Sequence, residues 1–327
     1  MELSGGCVEV VYFLLKCVDA IALNRYNSAM KKILYTVAGL LAVSVAPAAE
    51  QTPAEVAPQA QLPMVNGVDL MTMKRDSRCG QVLVTCLIGG QPMRMMLDTG
   101  ATHTVLHDES VARLSNPRWL DTSGMKFRGN SSQRPKILIA PLQAGPAESP
   151  QHPIMVISLA AVRSMLAEPI DGILGMDVLG SLPFTFDLRS EECYWGVPAA
   201  AKLVPLYGRR DDNGRMFVQV QCCGKPMELL LDTGSSITRV YEDEWVPGKA
   251  KKIAAHLGDV DKASRAQVMA GKPADMELAP GVVLPAVAPI FCPRNDRSML
   301  GMDALKGAVL IHLPGLSDPY GSFFTAN

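Results

Sequence analysis

The apolar positions of this 327-residue chain fall largely in short runs bounded by Gly and Pro, the pattern of strands and turns. Residues 81–88 (QVLVTCLI) and 215–220 (RMFVQV) are two such runs. Each leads into a turn signal, Gly89-Gly90-Gln91-Pro92 and Gly224-Lys225-Pro226, and then into a second apolar run. Both therefore predict hairpins. Further runs at 136–140 and 154–159 border on Pro and 282–290 is interrupted by it, which suggests sheet edges or loops. Residues 158–167 (SLAAVRSMLA) predict a helix, and 197–205 read as a connector. With 27 Gly, 24 Pro and only 6% aromatic residues, the expectation is an all-β protein of short strands.

The second run of each hairpin ends in nearly the same words. Met95-Met96-Leu97-Asp98-Thr99-Gly100-Ala101 is answered by Leu229-Leu230-Leu231-Asp232-Thr233-Gly234-Ser235. Later, Gly172-Ile173-Leu174-Gly175-Met176-Asp177 is answered by Ser298-Met299-Leu300-Gly301-Met302-Asp303. Landmarks recurring in the same order predict two copies of one unit, the second slightly shorter.

Each position of Asp-Thr-Gly has its own physical use. A carboxylate held in apolar surroundings is costly, and two in matching contexts suggest a pair built to face each other. Asp98 and Asp232 would then share one proton, one acting as base toward a water and the other as acid. The Thr99 and Thr233 hydroxyls can bond backbone across the junction, and Gly100 and Gly234 let the main chain turn tightly. Gly175 and Gly301 can pass close behind these loops, while Asp177 and Asp303 are placed to N-cap short helices. Ser235 can donate to Asp232, whereas Ala101 cannot do so for Asp98, which predicts Asp232 as the charged partner and Asp98 as the protonated one.

Hydrophobic-Asp-Thr-Gly-(Ala/Ser), followed by apolar-apolar-Gly, resembles the retropepsin-like aspartic protease family, especially its bacterial exported members. The likeness covers roughly residues 75–315. It implies an acid protease fold of two closed β lobes, 64–197 and 198–327, related by a pseudo-twofold axis around a cleft. It also implies that Asp98 and Asp232 are catalytic, that the threonines interlock, and that a polypeptide substrate binds as an extended strand. Flaps over the cleft are expected near 124–132 and near Ala270-Gly271. Retroviral members often carry an acidic residue where this chain has Thr102 and Ser236, and neither flap segment has the Tyr of pepsin. The lobes are short for pepsin, so a tandem retropepsin in one chain is the closer relative, a monomer with pseudo-dimeric lobes. Pairing between two chains stays open.

Residues 30–32 (Met-Lys-Lys) open a basic segment, 33–46 are uncharged and apolar, and Ala46-Pro47-Ala48 suits cleavage. This predicts a signal peptide at 30–48, export to the periplasm or medium, and no stable membrane span once it is removed. Residues 1–29 then read as a misassigned extension, and 49–63 as a Pro/Ala-rich linker. The net charge of −1 gives no electrostatic reason to expect a nucleic acid partner. No cofactor is called for. Six cysteines beyond the signal (Cys79, Cys86, Cys193, Cys222, Cys223, Cys292) leave disulfides and free thiols equally open. His103 and His107 could pair on a helix face as metal ligands, but no third ligand is evident, so no metal site is assigned. The 18 Met read as adaptable core filler, and 249–252 (KAKK) as a solvated face. The leading reading is an exported aspartic endopeptidase; the alternative is a non-catalytic peptide- or envelope-binding protein on the same fold.

Overall fold

A computed structural model describes residues 67–122, 135–198, 202–258, 263–294, 297–314 and 323–326, all within the unit Val56–Asn327. The expected extension, signal, linker and first flap (124–132) lie outside the described residues. In the first half, β1 (Met73–Arg75), β2 (Val82–Ile88), β3 (Gln91–Leu97), β4 (Val105–His107), β5 (Arg118–Leu120), β6 (Lys136–Ala144), β7 (Ala147–Ile157) and β8 (Gly172–Leu174) form one sheet. Because β2 also pairs with β6, the order β2-β3-β8-β4-β7-β6 closes into a six-stranded barrel. The expected helix appears as α1 (Ala160–Met165), and α2 (Met176–Leu179) follows β8.

A short sheet then leaves the barrel through β9 (Phe184–Asp187), β10 (Glu192–Trp195) and β11 (Leu203–Pro205). The second half contributes β12 (Gly208–Arg210), β13 (Met216–Cys222), β14 (Lys225–Leu231), β15 (Arg239–Tyr241) and β16 (Lys249–Gly258). It continues with β17 (Ala263–Gly271), β18 (Ala274–Ala279), β19 (Val282–Val287), β20 (Ile290–Cys292) and β21 (Met299–Leu300), making a ten-stranded curled sheet with β12 at the side. After α3 (Met302–Leu305), β22 (Val309–His312) and β23 (Phe323–Ala326) return to the central sheet, whose order is β10-β9-β22-β23-β11. Segments from both halves thus share that sheet. The architecture is that of two acid-protease-like lobes.

Both expected hairpins form because their two-residue turns hold the left-handed backbone that right-twisted strands require. Gly89 and Gly90 have φ of 58° and 77°, and Cys223 and Gly224 have 50° and 75°. The following strands are buried on both faces, which explains their continuous apolar runs. Met93, Met95 and Leu97 enter the main core, while Met96 faces a second cluster with Val162, Leu166 and Ile173. Many methionines do fill the main core, Met73, Met176, Met216, Met227 and Met276 among them.

Some expectations need correcting. β6 is an interior barrel strand, not an edge; its Pro141 is accommodated where the β6–β7 register shifts between Ala140 and Leu142. β19, which carries Pro285, is an edge strand as expected. Ala270-Gly271 is no flap tip: Ala270 pairs with Ile290 and Gly271 with Lys249, far from the Gly258–Ala263 end of the β16–β17 pair. All six cysteines are free thiols, Cys222 buried and Cys223 exposed.

His312 lies in the central sheet, fully buried and stacked on Phe184 with ring centroids 5.0 Å apart. Its Nδ1 contacts Leu182 O at 2.8 Å, and its Nε2 contacts the Arg210 guanidinium at 3.3 Å. A carbonyl only accepts and a guanidinium only donates, so the ring is the neutral Nδ1–H tautomer. Burial lowers its pKa from 6.5 to about 4. A lowered folded-state pKa stabilises above the unfolded value and loses that contribution as pH falls toward the folded one. Between pH 7 and pH 4 the wild type should therefore lose roughly 3 kcal/mol relative to His312→Phe. Urea denaturation of both proteins at the two pH values reads this; parallel pH slopes would rule out a neutral His312.

Candidate active site

Asp98 leaves the end of β3 and Asp232 the end of β14. In the first half, β3 runs parallel to β8, and β4 pairs with the other side of β8. The Asp98 loop therefore crosses over the end of β8. The second half has the same arrangement, with β14 parallel to β21 and β15 on its far side. The Asp98 and Asp232 N–H groups donate to Leu174 O and Leu300 O, each at 3.1 Å. Met176 and Met302 N–H return to Ala101 O and Ser235 O, each at 2.9 Å.

Gly175 and Gly301 are required by this crossing. A Cβ on Gly175 would lie 2.6 Å from the His103 backbone, and one on Gly301 would lie 2.6 Å from that of Ile237. Asp177 and Asp303, expected as N-caps, are not; Gly175 and Gly301 hold the cap positions. Asp177 instead accepts from Thr104 N–H and Oγ1 at 2.8 Å and contacts His152 Nε2 at 3.1 Å. Asp303 accepts from Thr238 N–H at 2.8 Å and Oγ1 at 2.6 Å. A carboxylate in the first turn can reach the neighbouring strand, where the Thr donors lie, and so pins the aspartate loop from behind.

The two loops meet across the junction. Thr99 Oγ1 donates to Leu231 O at 2.7 Å and accepts from Thr233 N–H at 3.1 Å. Thr233 Oγ1 donates to Leu97 O at 2.9 Å and accepts from Thr99 N–H at 3.1 Å. Both threonines are fully buried. Gly100 and Gly234 then pack directly on the opposite carboxylates: an added Cβ would fall 2.5 Å from Asp232 Cγ and 2.4 Å from Asp98 Cγ. Gly100→Ala or Gly234→Ala should cost about 1–3 kcal/mol by overpacking and push the carboxylates apart. Thermal denaturation tests this, and a variant as stable as wild type would contradict the close approach.

Both aspartates keep some accessible surface, yet protein surrounds them closely. Burial is the first cause raising the Asp98 pKa and the Asp232 charge the second, against the Gly100 and Ala101 N–H groups. Burial also raises Asp232, opposed by the Ser235 N–H, by the hydrogen bond with Asp98 and by the positive charge of Arg239. The two carboxyls are hydrogen-bonded to each other and titrate as one coupled pair, with burial raising both. Ser235 was expected to favour a charged Asp232 through its hydroxyl, but that hydroxyl donates to Ile237 O at 2.8 Å. Only its backbone N–H reaches Asp232, at 2.9 Å, matching Ala101 on Asp98 at 3.0 Å. Arg239 supplies the asymmetry instead.

Arg239 and Gln81 were not singled out as site residues. Aligning the two motif windows sets Arg239 opposite Val105, a charge where the first copy is apolar, and that mismatch was the available signal. Gln81 is buried, and its amide nitrogen donates to Gly234 O at 3.2 Å. His103 and His107 do not share a helix face. His107 ends β4 and accepts from Leu159 N–H at 3.0 Å, while His103 is exposed and meets Thr102 Oγ1 at 2.7 Å.

Residues 84–178 match the family model described as aspartyl protease. That stretch, which contains the Asp98 loop, β8 and α2, is the part of the chain that matches a retropepsin-like aspartyl protease. The second Asp-Thr-Gly lies beyond the matched residues. No curated protein matches the chain.

Proposed function

We propose that this chain is an aspartic endopeptidase, with Asp98 and Asp232 activating water for attack on a peptide carbonyl. The observation that carries the reading is the pair of interlocked Asp-Thr-Gly loops, which brings the two carboxyls together. Charged Asp232 is the base toward the water, and protonated Asp98 donates to the carbonyl oxygen as the tetrahedral intermediate forms. No covalent intermediate is needed. Two copies of one unit in a single chain would complete the site without a second protomer. The segment at 30–48 directs the protein out of the cytoplasm.

The test is digestion of a denatured protein mixture by wild type, Asp98→Asn and Asp232→Asn from acidic to neutral pH. Cleavage by wild type alone, with specific activity unchanged on dilution, is the expected result. A wild type inactive throughout but binding peptides tightly would make the protein a binding module instead.

A further inference from the structure

Gln81 immediately precedes β2 and is buried, yet its side chain serves the other half of the molecule. Gly234 O can only accept, so the Gln81 nitrogen is the atom directed at it, at 3.2 Å. Gln81 Oε1 has no hydrogen-bond partner among the described residues. A buried acceptor in that state is destabilising, and an apolar side chain would fill the place without it. What the glutamine adds over such a side chain is its bond to Gly234.

The carbonyl it meets belongs to the peptide group that joins Gly234 to Ser235. The N–H of that same group donates to Asp232 Oδ1 at 2.9 Å. Gln81 therefore opens a chain of two hydrogen bonds that ends on the Asp232 carboxylate. A donor on a peptide oxygen polarises the group and makes its N–H the stronger donor. The first half is built differently at the matching place. Gln81 and Arg215 each stand 17 residues before their aspartate, and each follows a turn opened by an Asp. Asp211 Oδ2 takes the Arg215 Nε–H at 2.7 Å, which turns that side chain back on its own half. Asp76 instead accepts from the N–H groups of Arg78, Cys79 and Ala167, and Gln81 crosses to Gly234. The Gly100–Ala101 peptide, whose N–H reaches Asp98 Oδ1 at 3.0 Å, gains no such support from Arg215.

We propose that Gln81 is a positioning residue that acts through the 234–235 peptide to favour Asp232 over Asp98 as the charged member of the pair. It has no charge of its own. Its effect adds to those of the charged groups that bear on Asp232, namely Asp98 across the junction and Arg239 on β15.

As a statement about catalysis this rests on the peptidase reading, so the test has an arm that needs no cleavage. Carbon-13 NMR of labelled aspartate follows the titration of the coupled carboxyls in wild type, Gln81→Met, Gln81→Leu and Arg215→Leu. Both Gln81 variants keep apolar bulk in the buried place and lack the donor. With the charged pair less well held, its first ionisation should move up by about 0.5 pH unit. The acid limb of kcat/KM should move in the same direction by the same amount. Arg215→Leu breaks the pairing with Asp211 and should lower stability while leaving both pH curves in place. A titration shift in a protein that cleaves nothing would overturn the peptidase reading and leave the role of Gln81 standing. Curves that coincide with wild type in both Gln81 variants would overturn that role. An equal shift in Arg215→Leu would overturn it too, since general loosening would then account for the change.

Discussion

Asp98→Asn should abolish peptide hydrolysis and at the same time make the protein more stable at neutral pH. The Asn side chain has the shape of the protonated acid, and its Oδ1 can still accept from Gly100 N–H at 2.8 Å and Ala101 N–H at 3.0 Å. The loop is thus kept while the titrating group is lost. Activity should fall by a factor on the order of 10³ or more, since the proton shared with Asp232 is the reagent. Stability moves the other way because the Asp98 pKa is raised in the folded state, first by burial and then by the Asp232 charge. A raised folded-state value stabilises fully below the unfolded carboxyl value and loses that contribution as pH climbs through the folded one. At pH 7 the wild type bears most of that loss and the variant does not, a difference of up to about 4 kcal/mol for a carboxyl raised to about 8. The gap should close in acid. His312 acts in the opposite sense over the same range but is common to both proteins, so their difference isolates the aspartate. Denaturant midpoints at neutral and acidic pH decide the matter; a variant less stable than wild type at neutral pH would mean that the pair carries no such strain.

What could be read from the sequence divides according to how local the cause is. The hairpins were legible because Gly-Gly and Cys-Gly turns act within two residues. The aspartate loops were legible because their apolar prefixes and trailing glycines repeat. Roles fixed by which of several reachable partners a side chain takes were not. Ser235 looks from its spacing like a donor to Asp232, yet Ile237 O, two residues on, takes the hydroxyl. Asp177 and Asp303 look like caps, but the Thr104 and Thr238 donors that claim them lie on another strand. Pro141 reads as an edge residue until the β6–β7 irregularity gives it a place inside the barrel. Gln81 acquires meaning only from Gly234, more than 150 positions away.

The second large effect is expected at the threonine interlock. Thr99→Val preserves volume and β-branching while deleting one hydroxyl. That deletion leaves two buried backbone groups of the other half, Leu231 O and Thr233 N–H, without their partner. At about 1–3 kcal/mol for each unsatisfied group, the loss should be roughly 3 kcal/mol. Thr233→Val removes the symmetric pair, to Leu97 O and Thr99 N–H, and should cost about the same. The double variant should cost less than the sum, because loosening one side admits water to the groups exposed on the other. Thr99→Ser keeps the hydroxyl and should recover most of the stability, which separates the hydrogen bonds from side-chain packing. Activity supplies a further reading. Leu97 and Leu231 each stand one residue before an aspartate, so a slipped interlock changes the spacing of the carboxyls directly. Thr99→Val should therefore lose more activity than its unfolded fraction explains, and its pH–rate profile should move as the shared proton is held less tightly. If both valine variants stay within about 0.5 kcal/mol of wild type, the halves are joined by the central sheet alone, and the threonines do not set the distance between the two aspartates.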